Sequence, residues 1–229
     1  MTDEPDLGAL ARALGDPTRL RMLTLLMEGR ALTAKELAYG AGVEPATATA
    51  HLQRLTASGF VHPRAQGRHK YFHLASEDVA RMMESMMVVA PSAPRRAPGE
   101  KPDAPIRMAR FCYDHLAGRL GVRLAEALVS RRVLRAEDDA FSVTPAGEKW
   151  FRSFGLDLPD LKQGRRKFAS RCLDWSERQE HLAGALGAAI ARKLTEEGWI
   201  TRHTDSRVVS VTSEGRRVLK ERLGVSLER

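Results

Sequence analysis

Two short stretches hold the side chains with the most chemical reach. The first reads CYDH and runs straight into HLAGRLG, so Cys112, Asp114 and His115 stand within four positions. The second reads CLDWSERQEH and runs into HLAGALG, which places Cys172, Asp174, Trp175 and His181 ahead of an almost identical phrase. Two cysteines and two histidines are the donor types that complete a tetrahedral site for a soft divalent ion. A thiol of depressed pKa senses oxidants or electrophiles. An aromatic residue beside a cysteine, as Tyr113 and Trp175 are, suits one wall of a pocket for an organic ligand. Packing alone is the fourth reading, because free cysteine is among the most often buried residue types and a histidine at a helix start can bond the backbone. Cys112 and His115 stand at i, i+3, the spacing that shares one face if the segment is helical. The effector-pocket candidates are therefore Cys112, Tyr113, His115, Cys172, Asp174, Trp175 and His181. No metal or other cofactor is expected; Cys112, His115, Cys172 and His181 are the quartet that would hold an ion.

Catalysis has little support. The chain contains no glycine-rich phosphate loop, no His-Glu-x-x-His and no Gly-x-Ser-x-Gly, the patterns that position phosphates, a catalytic zinc or a nucleophilic serine. Asp138-Asp139 reads as a solvated turn. The chain is not expected to be an enzyme.

The repeated phrase extends into a repeated layout. Aligning His115 with His181 brings Leu124 onto Ile190, Leu128 onto Leu194, Leu134 onto Ile200 and Gly147 onto Gly215. Each copy offers an amphipathic helix ending near 131 or 197. A strand pair follows, then a Thr-x-x-Gly helix entry. Helix, hairpin and helix form the back half of a winged helix, so 106–229 is expected to be a duplicated half-winged-helix domain with a cleft at its join, a favoured place for ligands.

The first half carries clear helix punctuation. Asp16 precedes Pro17, an N-cap followed by proline at the first helical position, and Leu20, Leu23, Leu26 and Met27 then form one apolar face. Thr33 and Glu36 form a capping box. A further helix in EPATATAHLQRLTASG buries Leu52 and Leu55 and stops at Gly59. FVHPRAQGRHKYFHL then switches to strand character around Gln66-Gly67, a hairpin. A helix-turn-helix followed by a hairpin is a winged helix. Its second helix presents Thr47, Thr49, His51, Gln53 and Arg54, short hydroxyls and long polar groups that suit base edges. The hairpin tip presents Arg64, Arg68, His69 and Lys70 to phosphates.

These phrases, ALGDPTRLRMLTLL, TAKELA, ATATAHLQRLTASGFV and GRHKYFHL, resemble the ArsR-type winged-helix regulators over about residues 5–90. The resemblance implies a homodimer on a two-fold-symmetric operator, usually a repressor, with dimer contacts through the first helix and the helix after the wing. In that last helix Val79, Met82, Met83, Met86 and Met87 recur at i, i+3, i+4 spacing, an apolar seam. The sequence departs from the family in its metal sites. No Cys-x-Cys stands in LTAKELAYG, and the helix after the wing has no histidine. A signal would have to enter through the second half.

Composition agrees with this plan. The 229 residues carry a net charge of +8 and a pI near 9.9, a balance that favours polyanions. Residues 1–90 are neutral, with ten basic and ten acidic side chains, whereas 106–229 carry 24 basic against 17 acidic. The basic run KQGRRKFASR (162–171) could touch a DNA backbone non-specifically, but Asp138-Asp139 at a wing tip would repel it. Residues 91–105, with five prolines, read as an extended linker. No apolar run reaches membrane-spanning length, the acidic start lacks a secretory leader, and two cysteines do not form a disulfide framework.

The expected architecture is mainly α with β-hairpin wings, an α+β fold: a winged-helix DNA-binding and dimerisation domain at 1–90, the linker at 91–105 and a sensor domain at 106–229. The expected function is a cytoplasmic dimeric transcriptional regulator, a repressor, whose partners are double-stranded operator DNA, a second copy of itself and a small-molecule effector, with no membrane association. The alternatives are a metal- or thiol-redox-responsive regulator using Cys112 and Cys172, and an architectural DNA-binding protein with no effector.

Overall fold

The computed structural model describes residues 4–91, 104–164, 166–203 and 206–227. The chain divides into two units, Met1–Met83 and Glu84–Arg229. Most of the proline-rich stretch expected as a linker, residues 92–103, lies outside the described residues.

The first unit runs α1 (Leu7–Leu14), α2 (Pro17–Leu26), β1 (Leu32–Thr33), α3 (Ala34–Ala41), α4 (Pro45–Ala57), β2 (Val61–Gln66) and β3 (His69–Leu74), and α5 (Glu77–Val89) starts in it. The phrase GDPTR sets the α1–α2 corner. The Asp16 carboxylate accepts from the backbone N–H groups of Thr18 and Arg19 and so caps α2. Arg19, itself buried, donates to the carbonyls of Arg12 and Ala13, which α1 leaves without helical partners. The Thr33–Glu36 capping box forms in full, and α3 ends on Gly42 at φ 70°. Met22, Leu23, Leu26, Met27, Leu37, Leu52, Leu55, Phe60 and Phe72 form the core. Leu20, expected on the buried stripe, is only half-buried, and Met22 takes that place. The sheet order is β1-β3-β2, all antiparallel, with Gly67 in the β2–β3 turn. The short strand β1, which pairs with β3, is an addition to the expected winged helix.

The second unit contains α6 (Pro105–Met108), then β4 (Arg110–Cys112), β5 (His115–Ala117), α7 (Gly118–Ser130), β6 (Leu134–Ala136), β7 (Phe141–Val143), α8 (Pro145–Ser153), α9 (Leu158–Lys162), β8 (Arg171–Leu173), β9 (Glu180–Leu182), α10 (Gly184–Glu196), β10 (Ile200–Arg202), β11 (Val209–Val211) and α11 (Ser213–Leu223). Each copy is thus hairpin, helix, hairpin, helix. The two Thr-x-x-Gly entries behave alike: Thr144 and Thr212 accept from the N–H of Gly147 and Gly215 to cap α8 and α11.

One expectation is corrected here. Each copy opens on a hairpin rather than on its long helix, and CYDH is not helical. Cys112 pairs directly across β4–β5 with His115, and Cys172 across β8–β9 with His181. The hairpins are exchanged between copies. The first hairpin of copy one bridges the second hairpin of copy two at Arg110 and Val208, and the first hairpin of copy two bridges the second of copy one at Ser170 and Ala140. Likewise α7 packs on β9, and α10 packs on β5. One continuous apolar core, including Leu120, Leu124, Leu128, Phe151, Leu186, Ile190 and Leu194, runs through both copies.

Candidate functional site

The HLAGxLG phrase builds the centre of the second unit. Gly118 and Gly184 open α7 and α10 at φ 74° and 78°, a left-handed conformation that glycine adopts without strain. Three residues on, Gly121 and Gly187 let each helix fold tightly back on the strand that precedes it while it meets the other repeat's histidine. A Cβ on Gly121 would lie 2.3 Å from the Leu116 carbonyl oxygen and 3.5 Å from Cβ of His181; one on Gly187 would lie 2.5 Å from the Leu182 carbonyl oxygen and 3.3 Å from Cβ of His115. Each repeat's helix therefore braces the other repeat's histidine.

The result is a meeting of four side chains from two hairpins. The Nε2 atoms of His115 and His181 are 3.2 Å apart, and the two Sγ atoms are 4.0 Å apart. One donor atom from each of Cys112, His115, Cys172 and His181 lies within 4.8 Å of the other three. All four residues are at most 7% exposed.

A carboxylate stands behind each histidine. Asp114 Oδ1 lies 3.4 Å from Nδ1 of His115, and Asp174 Oδ2 lies 3.8 Å from Nδ1 of His181. Asp174 is fully buried and well supplied with donors. It accepts from Arg110 at 3.0 Å, from the Gly118 N–H at 2.6 Å, and from the Ser176 hydroxyl and the Ser176 and Glu177 N–H groups. Burial opposes its charge, but Arg110 first and these donors after it hold it well below the usual carboxylate range. Asp114, against a similar burial penalty, is held at about 2 by hydrogen bonds from Arg166 and His115. Burial works against a charged His115, yet its bonds to Asp114 and Cys172 raise it to about 9. The two thiols split: hydrogen bonding to Cys172 and then burial raise Cys112 well above its ordinary value, while that same bond, and then the histidines, lower Cys172 against its burial.

The seven residues expected to line one effector pocket do not do so. Cys112, His115, Cys172 and His181 face one another at van der Waals range, which leaves no room for an organic molecule between them. Asp174 supports them from behind. Tyr113 occupies the β4–β5 turn at φ 62° with the Arg166 guanidinium 6.0 Å from its ring. Trp175 stacks with Arg110 and Arg107, at 4.6 and 5.2 Å. A separate cleft of about 480 Å³ lies on the Asp114 side, with Arg166, Arg192 and Arg202 in its lining. Arg110, Arg166 and Ser176, the groups that hold the two carboxylates, were not legible in the sequence, where nothing distinguishes them from other polar residues.

The first unit presents a second candidate surface. Along α4, Thr47, Thr49, Gln53 and Arg54 are exposed, while Ala48, Leu52 and Leu55 face the core. The Thr49 hydroxyl donates to the Pro45 carbonyl. His51 differs from its neighbours: it is half-buried, 3.4 Å from Arg19 and 4.0 Å from Asp16. On the wing, Arg64, Arg68, His69 and Lys70 are all exposed. Basic groups of 162–171 are committed within the second unit instead. Arg166 binds Asp114, Arg171 binds Glu180, and Lys162 lies 3.6 Å from Glu148; Arg165 lies outside the described residues.

A helix-turn-helix domain family matches residues 14–64. Over 224 residues, 97% of this chain and 99% of the relative, the sequence is 39% identical to the HTH-type transcriptional regulator YdfF of Bacillus subtilis (strain 168). It is 40% identical over 82 residues, 35% of each chain, to the HTH-type transcriptional regulator Rv0324 of Mycobacterium tuberculosis (strain ATCC 25618 / H37Rv). Among solved structures, the homodimeric winged helix-turn-helix DNA-binding domain Mb0332 of Mycobacterium bovis aligns with 28% identity and a TM-score of 0.36, covering 44% of this chain and all of that one.

Proposed function

The chain belongs to the HTH-type transcriptional regulators, and from that premise we propose that it is a dimeric repressor whose first unit reads an operator and whose second unit modulates that reading. The observation that carries this is the exposure, on one unit, of Thr47, Thr49, Gln53 and Arg54 along α4 together with Arg64, Arg68, His69 and Lys70 on the β2–β3 wing. Threonine methyls and a long amide reach base edges in a major groove, and the wing cations neutralise phosphates beside it. His51 serves differently: it buttresses the α2 N-cap through Asp16 and Arg19.

A second copy is supported by apolar side chains that stand exposed among the described residues. On α1, Leu7 is 72% exposed, and on α5 Val89 is 81% exposed, with Val79, Met82 and Met86 half-buried along the same helix. Burying such residues drives association. In the second unit, the cleft beside Asp114, lined by Arg166, Arg192 and Arg202 with Asp114 and Glu196, offers charges of both signs to a small polar effector, whose binding would favour one spacing of the two recognition helices over another.

Selection of duplexes from a random pool by the full chain tests this reading. It predicts a two-fold-symmetric consensus, with discrimination lost in Gln53→Ala and affinity lost uniformly in a variant with Arg64, Arg68 and Lys70 all changed to Ala. Enrichment of no sequence would overturn it.

A further inference from the structure

We propose that Cys112, His115, Cys172 and His181 form a closed tetrahedral Cys2His2 site for a zinc-class divalent ion, which ties the two repeats together at their pseudo-two-fold join. The proposal stands independently of DNA binding.

The separations match the edges of such a site. Zn–S bonds of about 2.3 Å and Zn–N bonds of about 2.0–2.1 Å give tetrahedral edges of about 3.8 Å between sulfurs and about 3.3 Å between nitrogens. The structure has 4.0 Å and 3.2 Å for these two pairs. The widest separation, 4.8 Å, closes to a mixed S–N edge with a side-chain movement of about 1 Å. The inward-facing nitrogens are both Nε2, and each outward Nδ1 has a carboxylate on its far side, Asp114 for one and Asp174 for the other. Metal-bound histidines typically use their second nitrogen in this way, toward a carboxylate that fixes the ring. His181 Nδ1 has no hydrogen-bond partner among the described residues, and Asp174 Oδ2 lies 3.8 Å from it; a metal on Nε2 would fix the proton on Nδ1 and aim it at that oxygen.

Charge and burial agree. When an ion of charge +2 enters, every donor that carries a proton, thiol or imidazolium, releases it to solvent, and two thiolates and two neutral imidazoles with one dication leave a neutral core. Neutrality is what a site at most 7% exposed requires. All four positions are filled by protein, the pattern of a structural rather than a catalytic zinc. Each repeat contributes one cysteine and one histidine from directly opposed positions of one hairpin, and each repeat's helix packs on the other's hairpin. The duplication thus builds the site from two equal halves.

Cobalt(II) titration of the reduced, chelator-treated full chain tests the assignment. The expected result is saturation at one Co2+ per chain with intense visible bands of tetrahedral cobalt and a sulfur-to-metal charge-transfer band in the near ultraviolet, all bleached by one equivalent of Zn2+. In the metal-loaded wild-type chain both thiols should resist alkylation and become reactive when chelator is added. Cys112→Ser and Cys172→Ser should each lose the charge-transfer band's full intensity, and the double variant should lose it altogether. Three results would overturn the proposal. One is weak octahedral absorption alone from reduced wild-type chain that circular dichroism shows to be folded. Another is a charge-transfer band that survives in the double variant. The third is a Cys112–Cys172 disulfide in the native chain whose reduction opens no metal uptake.

Discussion

At the scale of single residues, Asp174 joins parts of both repeats of the second unit. It sits between Arg110 and the His181 ring, and it also ties Gly118 N–H, at the start of one repeat's helix, to the loop of the other repeat. Asp174→Ala would strip Arg110, fully buried, of its closest counter-charge at 3.0 Å and leave it only the longer 3.7 Å contact with buried Glu84. Losing one partner of a buried ion pair costs about 3–5 kcal/mol, and urea unfolding of the variant should register a loss of that order. A loss under about 1 kcal/mol, the range of exposed pairs, would contradict this account of the interaction. In the first unit Asp16 has a smaller role. Asp16→Ala removes the α2 cap and should cost about 1 kcal/mol. The N–H of Arg19 chiefly lowers the Asp16 pKa, against burial, with His51 and Arg19 charges helping. Because the folded value lies below the unfolded one, near 3.9, its contribution is complete above that value and fades as pH falls through the folded value. The stability gap between wild type and Asp16→Asn, followed by circular dichroism, should therefore narrow on acidification; a gap that widens would contradict the assignment.

At the scale of elements, the parts that the sequence disclosed are those with local punctuation. Asp16-Pro17, Thr33-x-x-Glu36, Gln66-Gly67 and the two Thr-x-x-Gly entries each satisfy backbone groups within a few residues, so their signals do not depend on tertiary context. The hairpins that carry the cysteines and histidines are different. Their strands are three residues long, and the β4–β5 turn uses Tyr113 at positive φ where glycine or asparagine would have signalled a turn. The equivalent loop of the second copy is longer, so the cysteines fall 60 positions apart while the histidines fall 66 apart. That offset hid their equivalence. The convergence of the four side chains depends on hairpin exchange, a long-range property with no local signature. The glycines in HLAGxLG mark the tight strand-to-helix corners on which it is built. In Gly121→Ala or Gly187→Ala the added methyl would collide with the carbonyl of Leu116 or Leu182 on the strand that leads into the helix and displace that helix from its seat against the opposing histidine; overpacking of this kind costs about 1–3 kcal/mol. Thermal unfolding should show both variants less stable. A variant as stable as wild type would mean that the close approach is not required.

At the scale of the whole molecule, the account assigns DNA recognition to one unit and regulation to another, as the full-length relationship to an HTH-type regulator allows. The excess positive charge of residues 106–229 does not by itself place DNA there, because several of its arginines already hold carboxylates or carbonyls. The salt dependence of binding separates the two sources of charge. Each phosphate contact adds about 0.9 to the slope of log affinity against log salt. Changing Arg64, Arg68 and Lys70 to Ala should lower that slope by about 2–3 in fluorescence anisotropy titrations, whereas changing Arg216 and Arg217 to Ala should leave it unaltered. The reverse ordering would transfer the DNA surface to the second unit. Hydroxyl-radical footprinting of the full chain on its selected duplex locates the surface that reads DNA. The account predicts two protected segments one helical turn apart, about 34–36 Å, both lost in a Thr47→Ala, Gln53→Ala, Arg54→Ala variant that remains folded. Protection that persists unchanged in that variant would contradict it.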